Sequence, residues 1–176
     1  MSFAMCGKQR SGMMKGVILK KGFAYFTCMD EILAPLREDV LKHNWLIADC
    51  ECNWYPDPRL LEEYWLLTGK ELLDLVETND LQFIWAVFSA FSPGISLERI
   101  LAHPLPYADG YREFWKNPVT MQHPLAVIEI VAWDSSLALC ISRSDEIIRK
   151  FTEAFPLCED LEEDNRRNIS EGKEYY

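Results

Sequence analysis

The sequence predicts an α+β protein in which a mostly antiparallel four- or five-stranded sheet carries helices packed on it. Leu125 to Trp133 and Leu137 to Ser142 are two β-branched and aliphatic runs separated by Asp134-Ser135-Ser136, a polar break that reads as a hairpin turn. Leu81 to Phe91 is a third such run, rich in aromatic and branched residues and apolar on both alternating faces. Segments of helical period with recognisable start signals stand between and after these runs, the pattern of helices layered on a sheet.

In the 125–133 run, Leu125, Val127, Val131 and Trp133 alternate with Ala126, Ile128, Ile130 and Ala132, and Glu129 is the one polar interruption. A strand apolar on both faces is covered on both faces, so this one is expected at the middle of the sheet with 81–91 beside it. In the second run Ala138, Cys140 and Ser142 make a face of small residues that lets a helix approach closely. Gly16 to Gly22 reads as a short strand whose lysines suit a sheet edge.

From Phe23 the positions Phe23, Phe26, Met29 and Leu33, widened by Tyr25 and Ile32, have helical spacing. Pro35 ends that helix, because its ring clashes with the preceding turn, and it can begin a second piece over Leu36 to His43. Trp45 to Cys52 is the next strand, and Asn53 to Arg59, with two prolines in three residues, is a loop. Leu60 to Leu67 reads equally as a short helix or an irregular strand. Thr68-Gly-Lys-Glu71 has the residues of a capping box opening a helix to about Thr78, with Leu72, Leu73, Leu75 and Val76 inward. Ser96 caps a short turn through Leu101, and His103 to Gly110 is a proline-stiffened loop. Tyr111 to Lys116 makes one more turn. Ser144 caps a helix through Phe155, with Ile147, Ile148, Phe151 and Phe155 as its apolar stripe.

The expected organisation is a flexible leader over 1–15, one α+β domain over 16–158 and an acidic, flexible tail over 159–176. The leader contains Met13 and Met14 as alternative starts. A chain of 176 residues with 49% hydrophobic content can bury a real core, and no apolar run reaches the roughly 18 residues of a membrane span. No signal-peptide pattern is visible, and a cytoplasmic protein with no membrane partner is expected. Six scattered cysteines without paired C-x-x-C spacing read as reduced, small apolar residues.

Net charge is −10 and unevenly spread. Residues 1–21 carry five bases and no acid, 159–176 have a net −4, and the body over 22–158 has 21 acids against 10 bases, a net −11. Such a body repels nucleic acid phosphates and attracts a basic partner.

Nucleotide-binding glycine loops, the G-x-S-x-G elbow and the H-E-x-x-H zinc motif are all missing, so no catalytic residue, metal ligand or cofactor is assigned. The three histidines lie beside helix ends or proline loops. Simple alternation puts Asp49 and Glu51 on one face with Trp45 and Ile47, the two carboxylates about 7 Å apart. Their chemistry fits an acid/base pair, an acidic binding surface or a solvated strand end, and no catalytic partner can be named for them. Glu129, inside an apolar strand, must be paired, hydrogen-bonded or protonated, and pairing with a Lys or Arg from a helix is the expectation. Trp54, Tyr55, Tyr64 and Trp65 surround Asp57, Glu62 and Glu63. Aromatic anchors among carboxylates suit recognition of a basic protein, and they equally suit a core under a long loop.

The order strand, helix, Trp45-Leu-Ile-Ala-Asp49, Leu67-Thr-Gly-Lys-Glu-Leu-Leu73, aromatic strand, hairpin and helix, over about Gly16 to Phe155, resembles a family of small uncharacterised bacterial α/β proteins. In type, being small, acidic, aromatic and without catalytic motifs, the chain also resembles bacterial toxin-immunity proteins. That likeness implies a non-enzymatic protein that binds a cognate, basic toxin or effector domain and occludes its active site. The expected contact residues are Asp49, Glu51, Trp54, Tyr55, Asp57, Glu62 and Glu63. The alternatives are a small enzyme using Asp49, Glu51 or Glu129 as acid or base, and an intracellular ligand-binding module.

Overall fold

A computed structural model describes residues 15–22 and 27–173. Residues 1–14 of the expected leader and the helical positions Phe23, Tyr25 and Phe26 lie outside the described residues, while Lys15, placed in that leader, is the first residue of a strand. In chain order the elements are β1 (Lys15–Leu19), α1 (Met29–Leu33), α2 (Arg37–Leu41), β2 (Asn44–Cys52), β3 (Tyr64–Thr68), α3 (Gly69–Thr78) and β4 (Phe83–Phe91). They continue with α4 (Leu97–Leu101), β5 (Ile128–Trp133), β6 (Leu137–Ser142), α5 (Asp145–Ala154), β7 (Glu159–Asp160) and α6 (Leu161–Glu171). Short 3-10 turns cover Ala34–Leu36, Pro58–Leu61 and Arg112–Trp115.

The strands form one seven-stranded sheet in the order β3-β2-β4-β5-β6-β1-β7, and every neighbouring pair is antiparallel. The strand expected at the centre, β5, is the fourth of the seven, between β4 and its hairpin partner β6. The sheet exceeds the expected four or five strands at its two ends. Tyr64–Thr68, ambiguous by pattern, pairs with β2, and Glu159–Asp160 adds two residues beside β1.

Both faces are covered, which is why the central strands have no polar side. On one face Ile32, Leu33 and Val40 of α1 and α2, Leu72 and Val76 of α3, and Ile147 and Phe151 of α5 pack on Trp45, Phe88, Ile130 and Cys140. The small face of β6 does receive a helix, since Ala138 and Cys140 lie in the same cluster as α5. On the other face Ile100 of α4, Phe114, Trp115, Met121 and Leu161 of α6 pack on Leu46, Val87, Val131 and Leu139. That second layer is mostly the long 92–127 connection, not helix. Among the described residues no helix is long and apolar enough to cross a membrane.

Over 159–171 the segment expected to be a flexible tail forms β7 and α6, a correction to that part of the reading. Its amphipathic pattern is weak because polar groups do most of the docking. Leu161 enters the second core, while the Asp164 side chain is 0% exposed and accepts hydrogen bonds from Lys20 Nζ at 2.5 Å, Arg167 at 2.6 Å and Asn168 Nδ2 at 2.9 Å. Asn165 Nδ2 donates to the Phe114 carbonyl at 3.0 Å. Asp160 caps the helix and Gly172, at φ +64°, ends it in the left-handed conformation that glycine adopts without strain. Removing the partner of a buried charge costs more than the pair itself contributes. Asp164→Ala is therefore expected to cost about 2 kcal/mol, the partly exposed Lys20 regaining some water. Urea unfolding measures it, and unchanged stability would mean that α6 is held by Leu161 alone.

Candidate functional site

The predicted contact residues fall at the β2–β3 end of the sheet, where the ladder is irregular. Register shifts between β2 and β4 from Ala48 to Cys52, and Asp49 has a positive φ of 52°, marking a bulge. The extra residue reverses the alternation. Trp45 and Ile47 belong to the helix-covered core, yet beyond the bulge it is Cys52, with Cys50 packed against it, that faces this core. Asp49 and Glu51 are thus turned to the opposite face from Trp45 and Ile47, a correction to the simple alternation. Glu51 is exposed opposite Trp85, itself packed on the second core.

Asp49 is a brace. Its Oδ2 accepts from the backbone amides of Ala108 at 2.7 Å and Asp109 at 2.9 Å, tying the 103–111 loop to the bulge. The same loop is held from its other side by the Gln122 carboxamide, which accepts from Tyr107 N at 3.1 Å and donates to Tyr107 O at 2.7 Å. Between bulge and loop lies an open pocket of about 300 Å³ lined by Asp49, Cys50, Glu62, Glu63, Leu105 and Tyr107. Glu62 and Glu63 are exposed, and no Lys or Arg pairs with either among the described residues. Their negative charge is left to the solvent.

Trp54 and Tyr55 are surface residues with fixed positions. Asn53 Oδ1 accepts from Trp54 N at 3.1 Å and from Gln82 N at 3.0 Å, so the loop is stitched to the start of β4. Trp54 Nε1 donates to the Asp80 carbonyl at 3.0 Å, Tyr55 Oη accepts from Cys52 N at 3.5 Å, and the two residues remain 46% and 37% exposed. Aromatic rings held in place but open to water lose little side-chain entropy when a partner covers them.

Asp57 is turned elsewhere. It caps the Pro58–Leu61 turn through Arg59 N at 2.9 Å and grips the Arg59 guanidinium at 2.9 and 2.6 Å, which holds its carboxyl down at about 2. Arg59 lies over the Trp65 ring, 4.1 Å from its centroid. With Glu71, Asp74, Leu75 and Thr78 these residues line a second pocket of about 270 Å³. The structure therefore gathers Asp49, Glu62 and Glu63 at one pocket, puts Asp57 at another, and leaves Glu51 and the two aromatic residues on the adjoining surface. Trp65, read with the aromatic patch, lines the second pocket, whereas Arg59, Leu105 and Tyr107 are not among the expected contact residues. Asp57-Pro-Arg59 was the legible signal for the first of them, and nothing local points to the last two.

Glu129 has no Lys or Arg partner among the described residues, which corrects the expected ion pair. It is 0% exposed, and its carboxyl accepts from Gln122 N at 2.8 Å, His123 N at 2.9 Å and Ser89 Oγ at 3.3 Å. Burial pushes it up to about 7 against the pull of those donors. His123 is pushed below its usual range by burial, its Nδ1 accepting from Leu125 N and its Nε2 meeting the Ile100 carbonyl, an arrangement that fits the neutral ring. None of the described pockets is lined by Glu129 or His123. Glu129 organises the turn that delivers Gln122 to Tyr107, and so acts on the pocket rim indirectly.

Among the described residues no three His, Cys, Asp or Glu side chains converge as a metal-ligand set. What the site offers is a preformed surface with unpaired carboxylates and fixed aromatic rings. Comparison with protein families, curated proteins and solved structures gives no match, so function is read from this surface alone.

Proposed function

We propose that this chain is an immunity-type binding protein that neutralises a cognate basic toxin or effector domain by covering its active site with an acidic face. The observation that supports this reading is the pairing of Glu62 and Glu63, exposed and without ion-pair partners, with the position-fixed, half-exposed Trp54 and Tyr55 on the same β2–β3 connection. Unpaired carboxylates steer a basic partner, and pre-ordered aromatic rings anchor it. Asp49 and Asp57 are committed to the loop amides and to Arg59, so the steering charges on this face are Glu51, Glu62 and Glu63.

Co-expression with the toxic domain encoded by a neighbouring gene, followed by pull-down and salt-dependent kinetics, tests this reading. The double variant Glu62→Lys/Glu63→Lys is expected to slow association about tenfold at low salt, with the difference shrinking as ions screen the field. Trp54→Ala is expected to speed dissociation and weaken binding by about 2 kcal/mol. A wild-type chain that neither binds nor protects rejects the reading.

A further inference from the structure

The outer edge of β3 is the least protected edge of the sheet. It ends the strand order, and the opposite end is closed by a strand of only two residues. The hydrogen-bond phase of β3 follows from its register. Gly69 N donates to His43 O at 3.0 Å, and the register that pairs Asn44 with Thr68 aligns His43 with Gly69. Antiparallel partners alternate between bonded and non-bonded pairs, so Leu67 and Trp65 turn their backbone groups toward β2. Tyr64, Leu66 and Thr68 turn theirs outward.

Thr68 N–H confirms that phase, because Glu71 Oε2 accepts it at 2.7 Å in the capping box. The N–H and C=O of Tyr64 and Leu66 have no hydrogen-bond partner among the described residues. Their side chains and that of Trp65 are half-buried, and β3 holds no Pro, no Lys and no bulge, the usual devices that blunt an edge. Glu62 and Glu63 stand at its start and Glu71 lies beside its other end, whereas the nearby bases Arg59 and Lys70 are paired with Asp57 and Asp74.

We infer that the β3 edge accepts an extended, Lys- or Arg-bearing segment of a protein partner as an eighth strand, through the outward backbone groups of Tyr64 and Leu66. This rests on the reading of the chain as a binder of a basic protein. Backbone bonds give such an edge its affinity, and the flanking carboxylates select the sign of the incoming segment. A second copy of the chain is the poorer occupant, since it brings another net −10 to the same acidic edge.

The probe is the blocked octapeptide (Lys-Thr-Lys-Val)2, titrated at low salt and followed by tryptophan fluorescence and calorimetry. Leu66→Pro removes one outward N–H and leaves the bonds from Trp65 and Leu67 to β2, a placement that edge strands tolerate. It is expected to weaken peptide binding at least tenfold, with circular dichroism and urea unfolding verifying the fold. Glu62→Lys/Glu63→Lys, a surface change that leaves β3 intact, is expected to weaken it as much. The same peptide N-methylated at every residue keeps its charge but has no backbone donors and is expected not to bind. Equal uptake of the methylated peptide, or wild-type affinity in Leu66→Pro, overturns strand addition, as does a Leu66→Pro-sensitive dimer of this chain that takes up no peptide. Normal protection by Leu66→Pro in the co-expression assay overturns the edge as docking site and leaves neutralisation standing. Edge-dependent peptide binding with no protection by the wild-type chain does the reverse.

Discussion

Gly69→Ala is expected to destabilise the protein by about 3 kcal/mol, the upper end of what overpacking usually costs. In an exposed helix the same change would help, since alanine is favoured over glycine by about 1 kcal/mol. Here the sign is set by contact. Gly69 is the first residue of α3, its N–H donates to His43 O, and a Cβ on it would overlap the Val40 carbonyl at the end of α2. The obstacle is backbone, held in turn by Trp45 Nε1, which donates to that same carbonyl at 3.1 Å. Relief requires α2 and α3 to separate, opening the core around Val40, Leu72 and Leu73. Urea unfolding of the variant checks this, and stability equal to the wild type would mean that the two helices slide apart at little cost.

Glu129→Gln is expected to flatten the pH dependence of stability between about pH 4.5 and 7. Burial raises the folded-state value from the ordinary 4.5 to about 7. Across that window the folded chain keeps a proton that the unfolded chain has released, so the contribution is fully present below pH 4.5 and is lost as pH rises toward 7. The difference corresponds to about 3 kcal/mol between pH 4 and 8. His123 works in the opposite sense, because its lowered value makes acid unfavourable to the fold. Comparing wild type with Glu129→Gln at both pH values isolates the carboxyl, since His123 is present in each. Identical pH profiles would show that the amides of Gln122 and His123 keep Glu129 ionised throughout.

The two carboxylate braces share one consequence for the surface around Glu62 and Glu63. Asp49 holds Ala108 and Asp109, and Glu129 holds Gln122, which in turn holds Tyr107. Asp49 lines the pocket itself, whereas Glu129 is fully buried and acts on the pocket through Gln122. The Glu62 and Glu63 pocket therefore depends on a buried carboxylate outside its lining as well as on Asp49 within it.

Periodicity and start signals determined the α+β class, the 128–133 and 137–142 hairpin at the centre, β4 beside it, the Thr68 capping box and the Ser144 helix. These features are legible because each is set by a residue's own neighbours: alternation within a strand, a hydroxyl three residues before a free amide, a proline that lacks a donor. Only the tertiary structure decided the rest. The bulge at Asp49 reverses the faces of β2 because its carboxylate finds two amides about sixty residues away. Glu129 has amides in place of a cation because the turn at Gln122 folds over β5. Residues 159–171 join the fold through Asp164 and Asn165, whose partners Lys20 and Phe114 are remote in sequence, and polar docking of that kind leaves little hydrophobic period to read. The outer position of Tyr64 and Leu66, whose outward backbone groups have no partner among the described residues, likewise follows from which strand is last in the sheet, a property of the assembled order that no stretch of sequence states.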